Sequence, residues 1–136
     1  MKDIFCKIID GEIPSTRVYE DDDVLAILDI SQTTRGHTLV MPKQHYESLL
    51  SCPKEILTKV MLVAQRIGQA EVSILGAKGV NYLANCGEAA GQTVPHFHVH
   101  VIPRYEDGDG FKLEMKNNAE GLNLPAIVDI FKQNLK

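Results

Sequence analysis

Residues 93–102 read Thr93-Val94-Pro95-His96-Phe97-His98-Val99-His100-Val101-Ile102 and hold three of the five histidines of the chain. The histidines stand at every second position, with apolar residues between them. Successive side chains of a β-strand point to opposite faces, so a strand would set the three imidazoles in one row, about 6.5–7 Å apart. The apolar residues would then face a core. A helix would scatter the imidazoles, so the pattern predicts a strand, and Pro95 and Pro103 suit its two ends.

The composition predicts one soluble domain over residues 1–136. Apolar residues make up 44% of the chain and charged residues 24%, which is ordinary for a globular protein. The net charge of −4 argues against a general nucleic-acid or membrane-surface binder. The first seven residues carry charges where a signal peptide would be apolar, and the three cysteines are scattered. We therefore expect a cytoplasmic protein with reduced thiols and no membrane partner.

Hairpin-connected strands account for most of the remaining pattern. Besides the histidine stretch, strands are predicted at residues 17–20, 24–28, 37–41 and 79–85. A run of strands with one inserted helix is typical of the α+β class with an antiparallel sheet. The predicted fold is therefore a five-stranded antiparallel sheet with one long helix and short terminal helices.

The long helix is predicted between Pro53 and Gly76. Pro53 suits its first position and Gly76 its C-terminal cap. Gly68 inside it costs about 1 kcal/mol relative to alanine, which suggests a close packing neighbour such as a partner subunit. Short helices are predicted at residues 3–10 and from Pro125 onwards. An apolar stripe of helical period follows Ile56, Leu57, Val60, Met61, Ala64 and Ile67.

Three histidines in phase on one strand face point to chemistry rather than packing, because buried imidazoles need polar partners. One interpretation is zinc binding, although neighbours along a flat strand splay too far for all three to reach one ion easily. The other is nucleophilic or acid–base catalysis on phosphate by neutral imidazoles. The preceding Gly91-Gln92-Thr93-Val94 favours the second, since backbone amides, a side-chain amide and a hydroxyl suit phosphate oxygens.

The segment 91–102 resembles the signature of the histidine-triad (HIT) superfamily. That signature is His-φ-His-φ-His-φ-φ, where φ is apolar, preceded by Gly-Gln-Ser/Thr. The resemblance covers nearly the whole chain and is to small bacterial proteins of the Hint branch. Further matching blocks are Ile4-Phe5-Cys6-Lys7-Ile8-Ile9, Glu12-Ile13-Pro14-Ser15, Leu28-Asp29-Ile30-Ser31 and Gly36-His37-Thr38-Leu39-Val40-Met41-Pro42-Lys43.

The resemblance implies an enzyme that releases a nucleoside 5′-monophosphate, with AMP the expected one, by hydrolysis or transfer. His98 would attack the α-phosphorus and form a nucleotidyl-histidine intermediate, which water then hydrolyses. His96 and His100 would flank it, and His37 would support the triad. Gln92 and Thr93 complete the implied catalytic set. No cofactor is implied for catalysis.

The resemblance also implies the residues that bind a purine nucleotide. Asp29 would accept the ribose hydroxyls and Asn85 would contact the phosphate side. Family members of this size are homodimers. Their subunits are joined through the long helix and the strand near residues 79–85, so that the two sheets become continuous. The implied walls of the base pocket are Ile4, Phe5, Ile8, Ile27, Leu28, Ile30 and Leu39.

Some bacterial relatives hold zinc near the N-terminus, and the equivalent positions here are Asp3, Cys6, His45 and His96. Aspartate replaces a cysteine of that pattern and is still a zinc ligand. The resemblance therefore implies a structural zinc site, the alternative being an ordinary buried Cys6 and a surface His45.

Three functions remain open from the sequence. The first is a nucleotide hydrolase acting on a phosphoramidate, an acyl-nucleotide or a dinucleoside polyphosphate, since Thr93 in place of serine resembles the polyphosphate-hydrolase branch. The second is a non-catalytic nucleotide-binding or regulatory module, against which the intact middle histidine argues. The third is a pure zinc module.

Overall fold

Five antiparallel strands form one sheet in the computed structural model, which describes residues 2–106 and 108–135. The order across the sheet is β1-β2-β3-β5-β4, so β4 lies at one edge and β5 has a hydrogen-bonded neighbouring strand on each side. The predicted α+β class and five-stranded antiparallel sheet are confirmed. The strands are β1 (Arg17–Glu20), β2 (Val24–Leu28), β3 (Thr38–Pro42), β4 (Gly79–Leu83) and β5 (Val99–Arg104).

Three α-helices accompany the sheet. Asp3 caps the first, because its Oδ1 accepts a hydrogen bond of 2.7 Å from the backbone N–H of Cys6. Pro53 is the cap of the second rather than its first helical residue. Among the described residues, none of the helices is long and apolar enough to cross a bilayer. The helices are α1 (Ile4–Ile9), α2 (Lys54–Ser73) and α3 (Leu124–Asn134), with short 3₁₀ turns at Leu49–Ser51 and Glu88–Ala90.

The sheet buries both of its faces because each central strand alternates between two apolar clusters. Helix α2 covers one face and α1 the other. The cluster under α2 contains Val24, Ala26, Val40, Val60, Val63, Ala64, Ile67, Phe97, Val99 and Val101. The cluster under α1 contains Phe5, Ile8, Leu25, Ile27, Leu39 and Met41.

Strand β5 differs from its predicted limits at both ends. His96 and His98 precede the hydrogen-bonded strand, which begins at Val99. At the other end Pro103 lies inside β5, opposite Val80 of β4, so the prediction that it ends the strand is wrong. Strand β3 pairs with β5 no further than Val101, so the missing N–H of the proline interrupts no ladder on that side.

The close neighbour predicted for Gly68 lies within the same chain. A Cβ atom at Gly68 would stand 1.9 Å from the hydroxyl oxygen of Tyr82 on β4. The glycine therefore admits the Tyr82 ring between α2 and β4, and its presence gives no support for a partner subunit. Met61, predicted in the apolar stripe of α2, is 38% exposed.

Helix α2 also buries a carboxyl group that the sequence pattern does not predict. Glu71 is 3% exposed, and neither of its side-chain oxygens has a hydrogen-bond partner among the described residues. Burial raises its pKa from 4.5 to about 8. The folded state therefore holds the proton more tightly than the unfolded chain, and the stability this confers is lost as the pH rises from 4.5 towards 8.

We predict that Glu71→Leu flattens this pH dependence and stabilises the fold at pH 8 by about 2 kcal/mol, because it removes an unpaired buried carboxylate. Denaturant unfolding between pH 5 and 8 measures it. Glu55→Gln, at an exposed position of the same helix, should leave the pH profile of the free energy of unfolding unchanged. A wild-type profile as flat as that of the leucine variant would contradict the prediction.

Candidate active site

Side chains in and just before β5 alternate between the face covered by α2 and the face covered by α1. Phe97, Val99 and Val101 lie in the cluster under α2. The histidines between them face the side of α1, where the Phe5 ring packs edge-on against His98 with centroids 4.9 Å apart. The imidazoles of His98 and His100 stand 5.1 Å apart, closer than the predicted spacing along a flat strand.

A backbone carbonyl two residues earlier in the chain holds the ring of His98. Its Nδ1 lies 2.7 Å from the carbonyl oxygen of His96, and a carbonyl only accepts, so Nδ1 carries the hydrogen. The lone pair of the neutral ring is therefore on Nε2. Burial lowers the pKa of His98 below its usual 6.5, which keeps the ring neutral at pH 7. The arrangement presents an uncharged imidazole nucleophile.

A chain of hydrogen bonds fixes the next histidine. The backbone N–H of Thr33 points at Nδ1 of His37 at 3.4 Å, so the hydrogen of His37 lies on Nε2. That Nε2–H donates to Nδ1 of His100 at 2.9 Å, and its Nε2 also lies 3.7 Å from Oδ2 of Asp29. His100 is left with an Nε2–H as a free donor.

Electrostatics keeps His100 and His37 neutral as well. Burial, followed by the neighbouring rings of His98 and His37, lowers the pKa of His100 to about 4. Burial likewise lowers the pKa of His37. Near neutral pH the cluster therefore consists of uncharged rings whose roles as donor or acceptor are set by their hydrogen bonds.

His96 faces away from its two neighbours. Its Nε2 lies 2.9 Å from the carbonyl oxygen of Pro42 and donates to it. Its Nδ1 lone pair points towards Asp3 and Cys6, with Nδ1 3.3 Å from Oδ2 and 3.6 Å from Sγ. The ring is fully buried. The row predicted from the sequence is thus divided, with two histidines on one site and one on another.

A cavity of about 290 Å³ opens in front of His98 and His100. All nine residues predicted to bind the nucleotide line it. Five further residues line it: two belong to the segment 91–94, which the sequence predicts beside the phosphate, and three belong to the matching block 12–15, to which the sequence assigns no role. The nine are Ile4, Phe5, Ile8, Ile27, Leu28, Asp29, Ile30, Leu39 and Asn85, and the five are Ile13, Pro14, Ser15, Gly91 and Val94.

The two polar residues before the triad have different placements. Thr93 lines the cavity. The amide of Gln92 donates to the carbonyl oxygens of Glu47 and Val94 at 2.7 and 2.9 Å and accepts from the N–H of Gly87 at 2.8 Å. These bonds occupy the side chain in holding the loop before the histidines, and Gln92 does not line the cavity.

Four possible metal ligands meet behind the cavity. Asp3, Cys6, His45 and His96 each offer one donor atom, and these atoms all lie within 4.8 Å of one another. Oδ2 of Asp3 is 2.9 Å from Nδ1 of His45, and Sγ of Cys6 is 3.7 Å from the same nitrogen. Ligand bonds of about 2.0–2.3 Å give tetrahedral edges of about 3.3–3.8 Å. Three of the four distances between these donor atoms, 3.3, 3.6 and 3.7 Å, lie in that range, and one oxygen, one sulfur and two nitrogens are a donor set that suits zinc.

Comparison with known proteins gives a consistent family. Residues 10–107 match the model of the HIT domain. "Protein hit" of Bacillus subtilis is 50% identical over 117 residues, which are 86% of this chain and 81% of that protein. The Arabidopsis thaliana protein named "Adenylylsulfatase HINT3" is 43% identical over 103 residues, 76% of this chain and 52% of that protein.

Solved structures resemble the fold over most or all of the chain. The crystal structure of a HIT family member from Bacillus subtilis has a TM-score of 0.93 at 44% identity, covering 100% of this chain and 99% of that one. A Zn-bound histidine triad family protein from Mycobacterium smegmatis has a TM-score of 0.73 at 45% identity, covering 86% and 84%.

Proposed function

The chain belongs to the HIT domain family, and we propose that it is a hydrolase releasing a nucleoside 5′-monophosphate, with AMP the expected one. The substrates would be phosphoramidates, acyl-nucleotides or dinucleoside polyphosphates. The observation that carries the proposal is the His98 ring, whose Nδ1 is bound to the His96 carbonyl and whose Nε2 is free beside the cavity. A relative named as an adenylylsulfatase supports nucleotide hydrolysis at the level of the family.

In the proposed first step, Nε2 of His98 attacks the α-phosphorus and a phosphorus–nitrogen bond forms. The bond to the leaving group breaks, and the leaving group keeps the electron pair of that bond and takes a proton from solvent water. Neutral Nε2 is the nucleophilic form, so the lowered pKa of His98 keeps the ring reactive at pH 7. Water then attacks the nucleotidyl-histidine and releases the monophosphate, which restores the free ring.

His100 suits the role of donor in both steps. Its Nε2–H can donate a hydrogen bond to a phosphate oxygen and so stabilise the developing negative charge, because Nδ1 already accepts from His37. Asp29 would accept the ribose hydroxyls, and the apolar walls would hold the base. Thr93 and Asn85 supply polar contacts at the phosphate end.

Replacing the nucleophile tests the mechanism. We predict that His98→Ala lowers kcat for AMP release from AMP-lysine by roughly 10³-fold or more, because no other group forms the covalent intermediate. AMP binding should change only a few-fold, since the walls and Asp29 remain. Steady-state turnover and calorimetric AMP titration measure the two quantities, with thermal unfolding as the control for folding. Full turnover by His98→Ala would exclude the mechanism.

Three substrates assayed side by side with the wild-type protein would identify the leaving group that it accepts. AMP-lysine tests the phosphoramidase, diadenosine tetraphosphate tests the polyphosphate hydrolase, and adenosine 5′-phosphosulfate tests the activity in the name of the plant relative. If the protein bound AMP but turned over none of the three substrates, the hydrolase proposal would be wrong and the protein would be a nucleotide-binding module.

We also propose a structural zinc ion at Asp3, Cys6, His45 and His96. Bound there, zinc would supply charge and four bonds that tie the start of α1 to the segment before β5. Burial raises the pKa of the Cys6 thiol, so the chain needs a cation to bring this sulfur to the thiolate form. The Zn-bound relative of known structure supports this assignment.

Metal analysis tests the site. Protein purified without added metal should contain about one zinc per chain, and Cys6→Ser should lower the content at least several-fold because a ligand is lost. Cys52→Ser is the matched control, since that half-buried cysteine lies outside the four-residue cluster. A wild-type zinc content near zero, or equal contents in the two serine variants, would exclude the zinc site.

A homodimer joined at the edge of the sheet completes the proposal. Strand β4 is an edge strand, and Tyr82 on it is 45% exposed. On the side of α2 next to β4, Met61 and Val72 are 38% and 46% exposed. An unpaired edge flanked by apolar side chains favours pairing with a second copy through a two-fold axis.

The exposed face of α3 supports the same assembly. Leu124, Ile127, Val128 and Phe131 follow helical spacing, yet 37–61% of each is exposed. None of the described residues of α3 is buried. A second copy bound at the β4 edge would offer it an apolar partner.

We predict a solution mass of twice 15.1 kDa by light scattering. Val72→Asp should shift the protein to monomers, because a charge would be buried beside β4. Ser73→Asp places the same charge one residue further along α2, on its exposed side, and should leave the mass unchanged. A wild-type mass of one chain at micromolar concentration would disprove the dimer.

A further inference from the structure

A second, smaller cavity lies on the opposite side of the sheet from the histidines. Its volume is about 190 Å³, and it opens between β1, the end of β2 and the C-terminal half of α2. The walls are aliphatic and include Val18, Leu28, Ile67, Ile74 and Leu75, with Glu71 as the one ionisable lining residue among those described. At about 30 Å³ per atom, the groove has room for about six non-hydrogen atoms.

The carboxyl of Glu71 has no hydrogen-bond partner in the part of the chain that the structure describes. Its two oxygens are buried and make no hydrogen bond, and burial is the cause of its raised pKa. No lysine, arginine or histidine of the described chain lines the groove. A carboxylate in an aliphatic site is costly unless a cation or a donor pairs with it. A cationic group with an apolar body would supply such a partner and match the aliphatic walls.

We propose that this groove binds a small primary alkylammonium ion, with its ammonium on Glu71 and its aliphatic chain between α2 and β1. Three ammonium hydrogens can satisfy the two carboxylate oxygens, and the room left beside the nitrogen matches a chain of about four or five carbons. The site is separate from the nucleotide cavity, apart from Leu28, which lines both. It does not rest on the hydrolase function.

Two tyrosines are the other titratable groups near this carboxyl. Tyr82 of β4 and Tyr105, after β5, both feel the charge of Glu71, and burial raises their pKa values above 10.0. Both therefore stay neutral between pH 6.5 and 9. Over that range the carboxyl loses its proton, so the affinity for the cation should rise with pH, by up to about tenfold per unit below the pKa.

Calorimetric titration with n-pentylammonium chloride at pH 9 tests the site. We expect saturable binding of one ion per chain, weakened at least about tenfold in Glu71→Gln, which keeps the shape but removes the charge. Glu55→Gln, exposed on the same helix, is the matched control and should bind as the wild type does. The wild type should also bind n-pentylammonium more weakly at pH 6.5 than at pH 9, because protonation of Glu71 removes the same charge as the Glu71→Gln substitution.

A second variant separates loss of the site from loss of the fold. Ile74, 78% exposed at the rim, can be changed to Trp so that the indole fills the groove while Glu71 remains. We expect Ile74→Trp to abolish n-pentylammonium binding. Absence of saturable binding by the wild type, equal binding by Glu71→Gln, or equally strong binding of uncharged 1-pentanol would each overturn the proposal.

Discussion

The pairing of β3 with β5 is the constraint on which the site depends. Leu39 stands directly opposite His100, and Thr38 opposite Val101. Because a strand alternates with a period of two, a slip of one residue would turn His100 towards α2 and Val101 towards the cavity. Phe97, Val99 and Val101 prevent this slip, since each is almost fully buried under α2. The histidines therefore face α1 because the apolar residues between them are needed in the core.

Backbone groups then decide what each buried histidine does. The carbonyls of Pro42 and His96 hold Nε2–H of His96 and Nδ1–H of His98, while the N–H of Thr33 sets the hydrogen of His37 on Nε2. A carbonyl fixes a tautomer without adding a charge, so the buried ring of His98, whose pKa is lowered by burial, stays neutral. Side-chain carboxylates at the same positions would have favoured imidazolium and removed the nucleophile.

The sequence predicted the features that arise from local pattern. Alternation indicated the histidine strand, and the resemblance to the family supplied a set of cavity residues that the fold brings together around His98. Orientation depends on contacts distant in the chain and could not be predicted. His96 turns from the cavity because Pro42, 54 positions earlier, accepts its hydrogen. Gln92 is held in its loop by the carbonyl of Glu47.

The buried carboxyl on α2 is a feature that the sequence pattern did not predict. A glutamate on a helix is expected to be solvated, so a helical pattern drawn from apolar residues alone passes over Glu71. Only the packed structure shows that this position lies on the buried side with Ile67 and Gly68. Tyr82 likewise enters beside Gly68 through tertiary packing.

Helix α1 links the cavity to the four-ligand cluster. It has six residues, which is too short to be stable without tertiary contacts. Phe5 and Ile8 bury its inner face and line the cavity, while Cys6 and the capping Asp3 point to His96 and His45. The same turn of helix therefore carries a wall of the cavity and half of the donor set. An ion that fixed the donors would also fix Phe5 against the His98 ring, so a metal at this cluster would order the wall of the cavity in front of His98.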